Sequence, residues 1–302
     1  MAKLIRVGRP QFLISGLALF VFGALLAVRL GAFFSLSRLV LGYLVILPAQ
    51  LSVNFSNDYF DVATDRPGAA TPFSGDSGVL LAHPELRKPA MGIAIALIGC
   101  SLLAGFIFLG TYAYPLWMFG FVLIGNLLGW WYSAPPFRLS ARGLGEPAFT
   151  FIGGFLVPAM GYLVMKGKLD LAGAFLLIPL LLYGLASILS VEIPDMEADR
   201  LGEKRTWVAR KGRRFGFILV GTCLFAATGY FFLFPSLSMR PVPINLHILG
   251  LLSLLPLSVG IVGLVRKPLK RDPAARIAIW TVLSLMAFSI LANGYLIYLV
   301  IQ

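Results

Sequence analysis

The chain has 302 residues, 59% of them hydrophobic and only 13% charged, and a formal net charge of +12. An average soluble domain carries about 25% charged residues, so the composition excludes a soluble globule and points to a chain that lives in lipid. The basic balance belongs to the orientation of membrane segments rather than to nucleic acid, because Lys and Arg gather in cytoplasmic loops.

Apolar stretches long enough to cross a ~30 Å hydrocarbon layer recur along the whole sequence. In lipid they must be helices, since a helix satisfies its own backbone groups. The first, at 11–28, follows a basic start but lacks a small-residue cleavage site, and it reads as a retained membrane helix rather than a signal peptide. Further spans follow at 39–56, 90–110, 115–133, 147–165, 171–191, 215–234, 244–265 and 277–301, which makes nine. With the N-terminus in the cytoplasm, 20 of the 25 Lys and Arg fall inside and 5 outside, as the positive-inside rule asks. The C-terminus then lies outside. Of the 13 Asp and Glu, only Asp170 falls outside. The expected fold is an all-α integral membrane protein, one domain over 1–302, with nine helices around a central cavity. Long cytoplasmic connections at about 57–89 and 192–214 would cap it, since long loops in compact proteins are usually functional.

Two acidic motifs stand at helix ends on the cytoplasmic side. In NFSNDYFDVATD, residues 54–65, Asn54, Asp58, Asp61 and Asp65 recur at i, i+4, i+7 and i+11. At about 100° per residue they share one helix face, with Asn57 at its edge. In EIPDMEADRLGEKRT, residues 192–206, Asp195 and Asp199 share a face and Glu197 points away. Pro194 is expected to kink this region or start a new helical turn. Carboxylates that converge repel one another and need a counter-charge. Mg²⁺ takes oxygen ligands and is commonly held by few carboxylates plus substrate phosphates. Arg66, Arg200, Lys204 and Arg205 lie beside the motifs, and Arg offers phosphate a bidentate fork. Asp, Arg and Mg²⁺ together are equipment for a diphosphate.

Other features carry less. Cys100 and Cys223 sit in apolar segments without CxxC spacing and read as small packing residues. His83 and His247 have no ligand-like companions. GDSG at 75–78 resembles a serine-protease nucleophile region, but neither a β-barrel pattern nor a His–Asp pair accompanies it.

The stretch from Asn54 through Asn57-Asp58-x-x-Asp61-x-x-x-Asp65, together with Asp195-x-x-x-Asp199, resembles the two signature motifs of the UbiA superfamily of intramembrane prenyltransferases. The segment WYSAPPFRLSARGLGE, 131–146, resembles the Tyr-Ser-x-Pro-Pro segment of its menaquinone- and chlorophyll-pathway branches, and Arg9-Pro10 is also family-like. The resemblance implies Mg²⁺-dependent transfer of an isoprenyl group from an allylic polyprenyl diphosphate, such as geranyl or geranylgeranyl diphosphate, to an aromatic or other hydrophobic acceptor. By position, Asn54, Asp58, Asp61, Asp65, Asp195 and Asp199 would hold two Mg²⁺ ions. Asn54, Arg66, Arg138, Lys204 and Arg205 would contact diphosphate. Asp58, Asp61, Asp195 and Tyr132 would be catalytic, and the rings of Tyr132, Tyr59 or Trp131 could face the allylic cation. Loop 66–89 is most similar to the branch that prenylates 1,4-dihydroxy-2-naphthoate; a glycerol-phosphate lipid acceptor of the archaeal type is the alternative. Arg138 and Ser140 stand where many relatives carry a lysine. The rival from another class is a cation-coupled transporter, but its site would lie near the bilayer midplane on broken helices, whereas these carboxylates lie at helix ends.

Overall fold

The computed structural model describes residues 2–62, 77–237 and 243–302. All regular structure among them is helical. A short α1 (Ala2–Val7) leads through a left-handed Arg9 into α2 (Pro10–Arg29). Pro10 suits that first helical position, where its missing N–H has no partner to lose. Next come α3 (Leu36–Asp61), α4 (Val79–Ala82), a 3₁₀ turn at Pro84–Leu86, α5 (Arg87–Tyr112) and α6 (Trp117–Ser133). A second 3₁₀ turn at Leu139–Arg142 precedes α7 (Gly145–Phe151), which passes through a π-helical turn (Ile152–Leu156) into α8 (Val157–Lys166). The chain ends with α9 (Leu171–Leu201), α10 (Trp207–Lys211), α11 (Arg213–Leu237), α12 (Leu246–Arg266) and α13 (Arg271–Ile301).

Eight of these helices, counting α7 through α8 as one, are long and apolar enough to cross a membrane. The ninth expected span corresponds to α6, which has 17 residues. Long helices contact their neighbours in chain order, and α13 returns to α2, so they close a ring. Large apolar side chains such as Phe106, Phe225, Leu251 and Trp280 remain exposed on the outside of that ring, as a lipid-facing surface requires. Cys223 is buried, as a packing role asks, but Cys100 lies on the exposed side of α5.

The sequence places a connection at 192–214, and here the structure differs. α9 continues as helix through Pro194 to Leu201. Guanidinium groups support the stretch from outside: Arg213 Nε donates to Ile193 O at 2.9 Å and Arg271 Nε to Pro194 O at 3.2 Å. Neighbouring side chains that take up backbone carbonyls are how membrane helices tolerate proline. The other expected loop, 57–89, is likewise helical at both ends, in the last turn of α3 and in α4 through the start of α5.

Candidate active site

The last turns of α3 present Asn54, Asp58 and Asp61 on one helix. Asp58 is 2% exposed and Asp61 3%. Carboxylates buried this deeply need charged or hydrogen-bonding partners, and each finds them on a different segment. Asp58 is ion-paired with Arg9 and accepts from the hydroxyl of Ser77 and, at 3.3 Å, from its N–H. Asp61 receives Lys204 Nζ at 3.0 Å. Asn54 Nδ2 donates to Gly8 O at 2.7 Å, which clips the N-terminal segment to the same face.

The end of α9 brings the second motif. Asp195 and Asp199 are half-buried, and Asp199 accepts from the Thr206 hydroxyl at 3.1 Å. Asp199 lies within electrostatic range of both Asp61 and Lys204. The two motifs, 134 residues or more apart in sequence, therefore face each other across the Lys204 ammonium. Glu197 points elsewhere, into a pair with Arg213. Tyr132, at the end of α6, lies in electrostatic range of Asp61 and Asp199 as well as of Glu146 and Glu192.

Below this polar face is a cavity of about 300 Å³. Arg9, Asn54, Asn57 and Tyr132 are among its polar lining, and its walls come mainly from apolar residues of α2, α3, α6, the stretch from α7 into α8, α9 and α13. Tyr59 and Trp131 do not line it; they pack against Phe60 and Phe137 at 5.1 and 4.8 Å. Phe149 and Tyr183, which no motif or spacing marks, do line it.

The donor set suits a hard cation. Asp and Asn supply oxygen ligands, the kind Mg²⁺ takes. Asn57, 9% exposed, keeps its Oδ1 buried at the cavity without a hydrogen-bond donor among the described residues. Two protein cations, Arg9 and Lys204, already sit on the carboxylates. Among the described residues no three His, Cys, Asp or Glu side chains cluster as a ready-made cage. Mg²⁺ bound through one or two carboxylates and substrate phosphates needs none.

Asp65 and Arg66 lie outside the described residues. Of the cations expected to contact diphosphate, only Lys204 among the described residues pairs with the acidic face. Arg138 opens the Leu139–Arg142 turn in a left-handed conformation (φ 43°). Arg205 is exposed and lines a surface pocket of about 370 Å³ with Arg200, Lys204 and Arg210. Arg9, Ser77 and Thr206 are contacts that sequence spacing does not reveal. Only the Arg-Pro pair before α2 hinted at the first of them.

The chain resembles several solved structures over nearly its full length. A UbiA homolog from Archaeoglobus fulgidus bound to GPP and Mg²⁺ superposes with a TM-score of 0.66 at 16% identity, covering 97% of this chain and 99% of that one. A structure concerned with digeranylgeranylglyceryl phosphate synthase in membranes gives 0.66 at 15% identity, covering 100% and 99%. The apo UbiA homolog from Aeropyrum pernix K1 gives 0.63 at 15%, covering 93% and 98%. At these identities the likeness speaks for the fold. A curated relative, the 1,4-dihydroxy-2-naphthoate octaprenyltransferase of Bacillus subtilis (strain 168), is 24% identical over 166 residues, 55% of this chain. The match spans about half (52%) of that relative's length. The model of the UbiA prenyltransferase family matches residues 17–285, and with eight helices of membrane-crossing length the chain is a multi-pass integral membrane protein that belongs to the UbiA prenyltransferase family.

Proposed function

We propose that this chain transfers an isoprenyl group from an allylic polyprenyl diphosphate to an aromatic quinone precursor and releases diphosphate. The observation that carries this reading is the meeting of Asp61 on α3 and Asp199 on α9 around Lys204, above an apolar cavity. A cation-rich polar mouth over a hydrocarbon-lined space matches a substrate with an anionic head and an isoprenoid tail.

Asn54, Asp58, Asp61 and Asp65 would hold one Mg²⁺ ion, and Asp195 and Asp199 a second. When bound, the metal supplies positive charge to the diphosphate oxygens, which makes the diphosphate a competent leaving group. Lys204 sits where it can exchange Asp61 for a phosphate oxygen, and Arg9 stands in the same way on Asp58. Arg66, Arg138 and Arg205 are further candidate phosphate contacts. The Tyr132 ring faces the allylic carbon as positive charge develops there, worth about 2 kcal/mol when desolvated. Phe149 and Tyr183 extend that aromatic wall. The apolar cavity holds the tail and excludes water, which would otherwise capture the cation.

The whole chain acts as a single domain with nine spans. A 17-residue α6 is about 25 Å long at 1.5 Å per residue, close to the ~30 Å of hydrocarbon. The positive-inside count supports a cytoplasmic N-terminus and an outside C-terminus, with the acidic mouth facing the cytoplasm of a cell membrane. The partial match to a dihydroxynaphthoate enzyme supports an aromatic acceptor. The test is a grid of geranyl, farnesyl and geranylgeranyl diphosphates against 1,4-dihydroxy-2-naphthoate, 4-hydroxybenzoate and a geranylgeranylglyceryl phosphate, with products read by mass spectrometry. A prenylated naphthoate is expected. Product with the glycerol phosphate alone would replace the acceptor, and no product in any cell would overturn the reading.

A further inference from the structure

Two glutamates are buried near Tyr132, and the chemistry described above gives them no part. Glu146, in the first turn of α7, is 0% exposed, and Glu192, on α9, is 6% exposed. Carboxyl groups at this depth require hydrogen-bond donors, and Glu146 takes one from backbone. Glu146 Oε1 accepts from the N–H of Trp207, and the Glu192 carboxyl lies within electrostatic reach of Glu146 and of the N–H of Val208. These are the first two N–H groups of α10, which no intrahelical bond can use.

The same short stretch is tied twice more to the connection before α7. Arg205 N donates to Ala141 O at 2.9 Å, and Trp207 Nε1 donates to Gly143 O at 3.0 Å. Gly143 has φ +76°, and a Cβ placed there would lie 2.8 Å from Arg205 O, so glycine is what lets the two segments approach. Between and beside these ties stand the two residues that reach the acidic helices: Lys204, on Asp61, and Thr206, on Asp199.

We infer that Glu146, backed by Glu192, is a positioning residue, a carboxyl clamp that docks residues 203–208 so that Lys204 and Thr206 meet Asp61 and Asp199. The clamp stands on geometry alone; its kinetic consequence rests on the proposed prenyl transfer. Neither glutamate touches the diphosphate in this account. Each acts through the segment that carries Lys204.

Two measurements on the full-length protein in detergent test the clamp. The first is limited trypsin digestion, following cleavage after Arg205 and Arg210 by mass spectrometry. Glu146→Ala is expected to speed this cleavage about tenfold or more, while Glu146→Gln, which keeps an acceptor oxygen for Trp207 N–H, stays near wild type. Equal cleavage in all three proteins would overturn the clamp. Should Glu146→Ala fail to accumulate, Gly143→Ala attacks the same docking from the other side and must speed the same cleavage. The second measurement is a double-mutant cycle on kcat/KM for geranylgeranyl diphosphate. Glu146→Ala is expected to lower it about 10- to 100-fold, the scale of one lost buried hydrogen bond, and Glu146→Gln to recover most of that. In a Lys204→Ala background the Glu146→Ala effect shrinks to a few-fold, because the clamp has nothing left to position. Additive effects would contradict it. A wild-type protein without transferase activity would remove the proposed function and leave the digestion result to decide the clamp.

Discussion

Asp58 and Asp61 are charges that this chain buries almost completely, and their partners explain how. Arg9 is itself 5% exposed, so its pair with Asp58 is a buried ion pair. Removing one member of such a pair leaves an uncompensated charge and costs about 3–5 kcal/mol. Arg9→Ala is therefore expected to lower the thermal midpoint in detergent sharply, and Arg9→Lys, which keeps the charge, to lower it less. Equal midpoints for Arg9→Ala and wild type would refute the structural role given to this pair. The residue scale also marks what a linear sequence hides. Helical spacing is local, so the shared helix of Asn54, Asp58 and Asp61 was legible from their i, i+4, i+7 pattern. The Arg9–Asp58 contact spans 49 residues, and Lys204–Asp61 spans 143. Nothing in local periodicity encodes which distant cation will answer which carboxylate. For the same reason Glu146 read only as the end of a motif segment, since its burial is decided by how α7, α9 and α10 meet.

Among the elements, α9 does the most to build the site. Its 31 residues run about 46 Å at 1.5 Å per residue, longer than the hydrocarbon layer, so its last turns carry Asp195 and Asp199 to the acidic mouth. Reading its membrane part from apolarity gave 171–191, because hydropathy ends where the acids begin although the helix does not. Asp170 starts this helix, accepting from Gly173 N at 2.9 Å and pairing with Lys166 at 2.7 Å. Burial pushes the Asp170 carboxyl up, but hydrogen bonds from Lys166, Gly173 N–H and Tyr162, with the Lys166 charge, outweigh it and hold the group below the usual carboxylate range. A carboxyl depressed in the folded state stabilises above its unfolded value, near ~3.9, and that stabilisation fades as pH falls through the folded value. Asp170→Ala should cost about 1 kcal/mol at neutral pH, as loss of an N-cap does. The difference from wild type should narrow toward pH 3 in thermal melts; a difference independent of pH would contradict it. Elsewhere α2 and α8 cross at Gly23 and Gly161. A Cβ at Gly161 would fall 1.9 Å from Phe20 O, and one at Gly23 would fall 1.8 Å from Pro158 O. Neither backbone can yield, so Gly161→Val is expected to leave no monodisperse protein after extraction, while Gly125→Val, with open space at its Cβ position, extracts normally.

At the scale of the whole molecule, the ring of helices was legible because apolar length and backbone satisfaction leave a membrane chain little choice. Its closure through α13 and α2 was not, since ring order is a matter of packing rather than hydropathy. The topology proposed from charge asymmetry is open to a direct check in a variant with Cys100 and Cys223 replaced by Ser. A membrane-impermeant maleimide should label Lys168→Cys in intact cells and Lys267→Cys only after permeabilisation; the opposite pattern would invert the orientation. The central claim is that two acidic helix ends and Lys204 form one diphosphate-handling mouth. Pyrophosphate release from geranylgeranyl diphosphate, with dihydroxynaphthoate and Mg²⁺, measures that most directly in wild type, Asp61→Asn and Asp199→Asn. Release by wild type that EDTA abolishes, and that each substitution lowers about 100-fold or more, is the predicted result. Release that survives both substitutions would contradict the account.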